Sequence, residues 1–169
     1  MDTLNFKPTF LGQCIIKYQV PLDVFMSINQ IYEQNYNSLA PANGQLVGKI
    51  EKEHSLFYHG EDQTKMKNHN FLPNNVTDYF MQVFNHYLKF NAIRDYKTHL
   101  NSIWVNEMKQ HEYNPAHIHR GMLYTGLSSV MILKLPSTYG KEYSAEHVQQ
   151  NGRLQILGAA NGQFAKIDY

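Results

Sequence analysis

Ser102-Ile103-Trp104-Val105-Asn106-Glu107-Met108-Lys109 is the stretch that decides the fold. Successive side chains of an extended chain point to opposite faces, so Ile103, Val105 and Glu107 share one side and Trp104, Asn106 and Met108 the other. Both sides are partly apolar, which suits an inner strand. Downstream, Leu127-Ser128-Ser129-Val130-Met131-Ile132-Leu133-Lys134-Leu135 reads as a second strand stopped by Pro136. Between the two lie a polar turn and the pair His117 and His119. Arg153 to Leu157 and Phe164 to Tyr169 are expected as further strands, with Gly140 to Gly152 as an excursion.

Upstream the period changes. Cys14-Ile15-Ile16-Lys17-Tyr18-Gln19-Val20 is β-branched and aromatic and is cut off by Pro21, which predicts a strand. Leu22, Phe25, Met26 and Tyr32, with polar Asn29 among them, keep helical spacing to about Tyr36, and Asp23 sits where it complements the helix dipole. Residues 37–75 carry Pro41, Gly44, Gly48, Gly60 and Pro73 and read as irregular chain with a short strand at Leu46 to Ile50. Asn74 or Asn75 then offers an N-cap, and Val76, Tyr79, Phe80, Val83, Phe84, Tyr87 and Leu88 follow the i, i+3, i+4, i+7 rule toward Phe90. Both helices are expected to lay their apolar faces on one side of the sheet that holds Ile103 to Met108, leaving the other side for a pocket. The chain contains no repeat and no linker. It therefore reads as one α+β domain, helical and irregular over 1–100 and β-rich over 101–169.

At 169 residues the chain is long enough for a real core, since a domain of this size buries roughly 70% of its unfolded surface. Fifteen Lys and Arg face 14 Asp and Glu, so nothing points to nucleic acid or an anionic membrane, and a small-molecule or protein substrate fits better. The lone Cys14 excludes an intrachain disulfide and a cysteine zinc site, which fits a reducing cytoplasm. The start Met1-Asp2-Thr3-Leu4-Asn5 lacks a basic residue followed by an apolar run, and no stretch reaches the roughly 20 apolar residues of a membrane span.

The nine histidines are the chemical resource. On an extended chain the imidazoles of His117-Ile118-His119 face one volume, and two such ligands can share a metal that keeps open positions for substrate or dioxygen. Two surface or hydrogen-bonded histidines beside a turn fit the same pattern. Asn106 either reaches toward a bound molecule or is a buried amide satisfied by neighbouring backbone. His86 falls among the polar positions of the second helix, and His54, His59 and His69 fall in the irregular stretch, where side chains are usually solvated. No nucleophile setting and no glycine-rich phosphate loop is present.

Trp104-Val105-Asn106-Glu107-Met108, then Glu112-Tyr113-Asn114-Pro115-Ala116-His117-Ile118-His119, then the apolar strand closing on Lys134-Leu135-Pro136 together resemble the 2-oxoglutarate/Fe(II)-dependent oxygenases of phages and marine bacteria, relatives of the prolyl 4-hydroxylases. The likeness is strong over roughly a fifth of the chain. It implies a distorted double-stranded β-helix, jelly-roll or cupin-like, whose mouth holds Fe(II) chelated by 2-oxoglutarate. It also implies oxidative decarboxylation to succinate and carbon dioxide coupled to hydroxylation of a C–H bond, in the cytoplasm of a bacterium or phage-infected host. His117 takes the place of the family's first histidine and His119 that of its carboxylate, so either both bind or one binds while the other orients it. A neutral imidazole in place of a carboxylate is expected to hold iron less tightly.

The family's distal histidine and the cation for the co-substrate's far carboxylate have no counterpart before Tyr169. His147 stands in a polar run, and Lys134 and Arg153 are the remaining strand-borne cations. The fold is accordingly expected to be incomplete at its C-terminus, with weak iron binding, inefficient turnover, and an open edge that favours disorder or a homodimer. The second expectation, of a different class, is a catalytically silent binding or structural protein that retains the scaffold without a complete metal site.

Overall fold

The computed structural model describes residues 4–10, 14–46, 48–58, 71–117, 126–140, 152–160 and 163–168. In chain order the elements are β1 (Phe6–Phe10), β2 (Cys14–Tyr18), α1 (Leu22–Asn35), β3 (Lys52–Tyr58), α2 (Asn74–Phe90), β4 (Ser102–Glu107), β5 (Gln155–Ala160) and β6 (Gln163–Asp168). The class is α+β, with the strands paired as three small antiparallel sheets, β1 with β2, β3 with β4, and β5 with β6. Among the described residues none of these closes into a barrel. The chain divides into two compact units, Thr3–Tyr18 with Ser128–Tyr169, and Gln19–Leu127.

In the first unit β1 and β2 pair from Phe6 with Tyr18 to Phe10 with Cys14, and Cys14 is buried. β5 and β6 pair from Gln155 with Asp168 to Ala160 with Gln163. The strand expected at Arg153 to Leu157 therefore begins two residues later, at Gln155, and runs on to Ala160. The expected strand Leu127 to Leu135 has no strand pairing among the described residues, and Val130, Ile132 and Leu135 are exposed. Alternation and β-branching prepare such a segment for a sheet, but only a partner backbone makes it a strand.

Among the described residues the second unit holds most of the buried apolar side chains. Val24 and Ile28 of α1 are buried one turn apart, while Leu22 and Met26 stay exposed, so the buried stripe is rotated from the Leu22, Phe25, Met26 spacing. Apolar residues surround much of this helix, and the helix it packs against selects the stripe. That partner is α2, which buries Val76, Tyr79, Val83 and Leu88 of its expected apolar series and leaves Phe80, Phe84 and Tyr87 half-buried. Each fully buried aliphatic chain contributes roughly 1.5–3 kcal/mol. At the end of α2 the N–H of Ile93 bonds the carbonyl of Leu88 at 3.0 Å and that of Ala92 bonds Lys89 at 3.1 Å. This is a Schellman closure with Ala92, at φ 54°, where glycine is usual.

The irregular stretch contains a strand that periodicity missed. β3 pairs with β4 from Lys52 with Glu107 to Tyr58 with Ser102. Residues 40–42 run along its other edge, through Ala42 N to Glu53 O at 2.7 Å and Ser55 N to Ala40 O at 2.9 Å. The register slips between Ser55 and Phe57, leaving Leu56 as an extra, fully buried residue whose carbonyl accepts from Phe71 N at 3.2 Å. That bulge breaks the alternation, and Glu53 and Ser55 are buried polar residues, so Lys52 to Tyr58 lacks the outward signs of a strand. The strand expected at Leu46 to Ile50 is instead a single bridge, Lys49 with Tyr113. Among the described residues no helix is long and apolar enough to cross a membrane.

Candidate functional site

β4 leads into the histidine segment through a tight, heavily bonded turn. Glu112 N donates to Lys109 O at 3.1 Å, and His111 within that turn sits at φ 66°. The Glu112 carboxylate accepts from Lys109 N at 2.7 Å and from Glu51 N at 3.0 Å. Those two backbone donors hold its pKa below the usual carboxylate value. The exposed pair Lys109 and Glu51, 3.4 Å apart, adds at most about 1 kcal/mol. Next the chain is clamped at Tyr113, whose N–H donates to Lys49 O at 3.0 Å and whose carbonyl accepts from Lys49 N at 2.8 Å. Two residues on, Pro115 presents its carbonyl to Nδ1 of the exposed His117 at 2.7 Å.

The donor set can be tested against a metal at this point. A carbonyl oxygen only accepts, so the bond to Pro115 places the proton of a neutral ring on Nδ1 and the lone pair on Nε2. Metal-binding histidines commonly have one ring nitrogen anchored in this way. His117 therefore fits a divalent metal that takes imidazole. His119 and His147 lie outside the described residues. Among the described residues no three His, Cys, Asp or Glu side chains gather as a metal-binding group.

Asn106 lies on β4 opposite Glu53 and is exposed, as is Trp104 on the same side, and among the described residues β4 pairs with β3 alone rather than lying between two strands as its composition suggests. Glu53 itself is buried. Desolvation pushes its carboxyl pKa up, and a hydrogen bond from the Trp104 side chain partly offsets that. The other side of β4 carries the larger polar arrangement. Tyr32 of α1 donates to Glu107 Oε1 at 2.9 Å and lies 3.0 Å from His54 Nδ1, while Tyr36 donates to Glu107 Oε2 at 3.4 Å. Lys52 Nζ donates to the Tyr36 hydroxyl and stands 4.7 Å from the centre of its ring.

A phenol has one proton, which fixes the directions. Both tyrosines direct theirs at Glu107, so Tyr32 must accept from His54 Nδ1–H and Tyr36 from Lys52. Two chains of donors thus converge on one carboxylate and fasten α1 to the paired strands β3 and β4. Burial first, and then the bond to Glu107, raises the Tyr32 pKa well above that of a free phenol. The bond to Tyr36 raises that of Lys52. His54, expected to be solvated in an irregular stretch, is instead part of this network on β3. The sequence does carry its traces: Tyr32 and Tyr36 at i, i+4, Lys52 and His54 at i, i+2, and Glu107 in phase with Val105. They are visible only once β3 is known to pair with β4. His86 stacks on Phe90 along α2 with ring centres 6.3 Å apart.

Compared with known families, curated proteins and solved structures, the chain has no match in any of the three.

Proposed function

We propose that the chain is an Fe(II)- and 2-oxoglutarate-dependent oxygenase on a distorted double-stranded β-helix scaffold, hydroxylating a C–H bond of a protein side chain or small metabolite. The observation that carries this reading is the 2.7 Å bond between His117 Nδ1 and the Pro115 carbonyl, which assigns the lone pair to Nε2 on an exposed, well-braced turn. His117 and His119 hold the metal, and Asn106, exposed on β4, reaches toward the co-substrate. Bound iron supplies an oxidant from dioxygen and 2-oxoglutarate, with ascorbate keeping the metal ferrous in assays. The chain contributes imidazole donors, their orientation and a place for substrate. The α+β class with antiparallel sheets is compatible with such a scaffold.

Anaerobic Co(II) titration, with Co(II) standing in for Fe(II), and succinate release with Fe(II), ascorbate and 2-oxoglutarate test the reading. His117→Ala and His119→Ala are each expected to weaken metal binding at least tenfold and to abolish any succinate signal. Unchanged metal binding in both variants overturns the assignment and leaves the silent binding or structural protein as the better description.

A further inference from the structure

Gly48 lies where the segment before His117 crosses the chain leading into β3. A methyl group built on it would overlap the Tyr113 carbonyl oxygen and come within 2.8 Å of Pro115 Cδ and 2.9 Å of Asn114 Cα. Real Cβ atoms essentially never approach so closely, and two of these neighbours are backbone, which cannot swing aside. The same Tyr113 carbonyl accepts from Lys49 N at 2.8 Å, so the crossing is both hydrogen-bonded and as tight as a residue without a side chain allows. Pro115, pressed against Gly48, supplies the carbonyl that holds His117 Nδ1. Glu112 braces the opposite end by joining Lys109 N and Glu51 N.

We infer that Gly48 is a positioning residue for His117: its missing side chain lets the 113–115 segment seat, and that seating sets the tautomer and aim of the imidazole. The inference rests on the proposed role of His117 as a metal ligand. Gly44 supplies the internal control, because a methyl group there would meet nothing within 4 Å. A Cβ at Gly48 lifts Pro115 away and weakens the hold of its carbonyl on Nδ1–H, shifting the balance between the ring's tautomers. Loss of such an orienting contact typically costs about 10- to 100-fold in metal affinity.

The test uses the full chain and two readouts: the nitrogen chemical shifts of His117 in metal-free protein, which report its tautomer, and the dissociation constant for Co(II). Gly48→Ala is expected to convert a single Nδ1-protonated signal into a tautomer average and to weaken Co(II) binding at least tenfold, while Gly44→Ala changes neither. Should Gly48→Ala fail to fold, Glu112→Gln loosens the same segment without added volume and is expected to move both readouts the same way by a smaller amount. If His117→Ala abolishes Co(II) binding but Gly48→Ala, or in its place Glu112→Gln, keeps the wild-type tautomer and affinity, the inference is overturned and the ligand role stands. If His117→Ala leaves Co(II) binding intact, the ligand role itself fails, whereas the tautomer readout still judges Gly48.

Discussion

Replacing Tyr32 by Phe removes one hydroxyl and keeps the ring, whose contacts with Tyr36 at 5.6 Å and His54 at 5.8 Å between centres should persist. The hydroxyl donates to a carboxylate at 2.9 Å, and bonds to charged groups contribute about 1.5–3 kcal/mol. Tyr32 is only half-buried, so water partly replaces the lost partner and the lower end, about 1.5 kcal/mol, is expected. In a chain of this size that lowers Tm by about 3–6 °C. A double-mutant cycle with Glu107→Gln isolates the pair, and coupling of about 1 kcal/mol is expected from urea unfolding followed by circular dichroism. The pH dependence gives a second check. A phenol whose pKa is raised by folding stabilises the native state fully below the unfolded value near 10, and that contribution fades as pH climbs through the folded value. The advantage of wild type over Tyr32→Phe should therefore narrow above about pH 10. Additive mutations, or a Tyr32→Phe loss under 0.5 kcal/mol, would refute the converging directions assigned to these bonds.

Other substitutions probe separate parts of the frame. Ala92→Gly places the residue suited to φ 54° at the close of α2 and is expected to raise stability by about 0.5–1 kcal/mol, read as a higher urea midpoint; a lower midpoint refutes the left-handed closure. Glu53→Gln keeps an acceptor for Trp104 without a charge to bury. Because folding raises the Glu53 pKa, its contribution is present below the unfolded value and lost as pH rises through the folded one. The variant should thus gain on wild type between about pH 4 and neutrality, and parallel stability curves would contradict this. Tyr79→Phe removes a buried hydroxyl that has no hydrogen-bond partner among the described residues, and a gain of about 1 kcal/mol is expected in thermal unfolding; a clear loss would reveal a partner for it.

The sequence by itself determined the elements whose signal is local. The spacing of Val76, Tyr79, Val83 and Leu88 is carried by one helix face, Pro21 and Asp23 mark the start of α1, and the alternation of Ile103 to Glu107 marks β4. It also singled out His117 by its residue type and its place after a strand and turn. Tertiary structure decided everything that needs a partner distant along the chain. Lys52 to Tyr58 becomes a strand only because β4 and residues 40–42 supply its ladders, and a bulge at Leu56 hides its period. Met26 is apolar like Ile28, yet it lies exposed because α2 packs on another face of α1. The seating of Pro115 against Gly48 and the meeting of Tyr32, Tyr36, His54 and Lys52 at Glu107 join residues tens of positions apart. Such arrangements arise from the closure of loops and the exclusion of water around the assembled unit, and neither leaves a periodic trace in the chain.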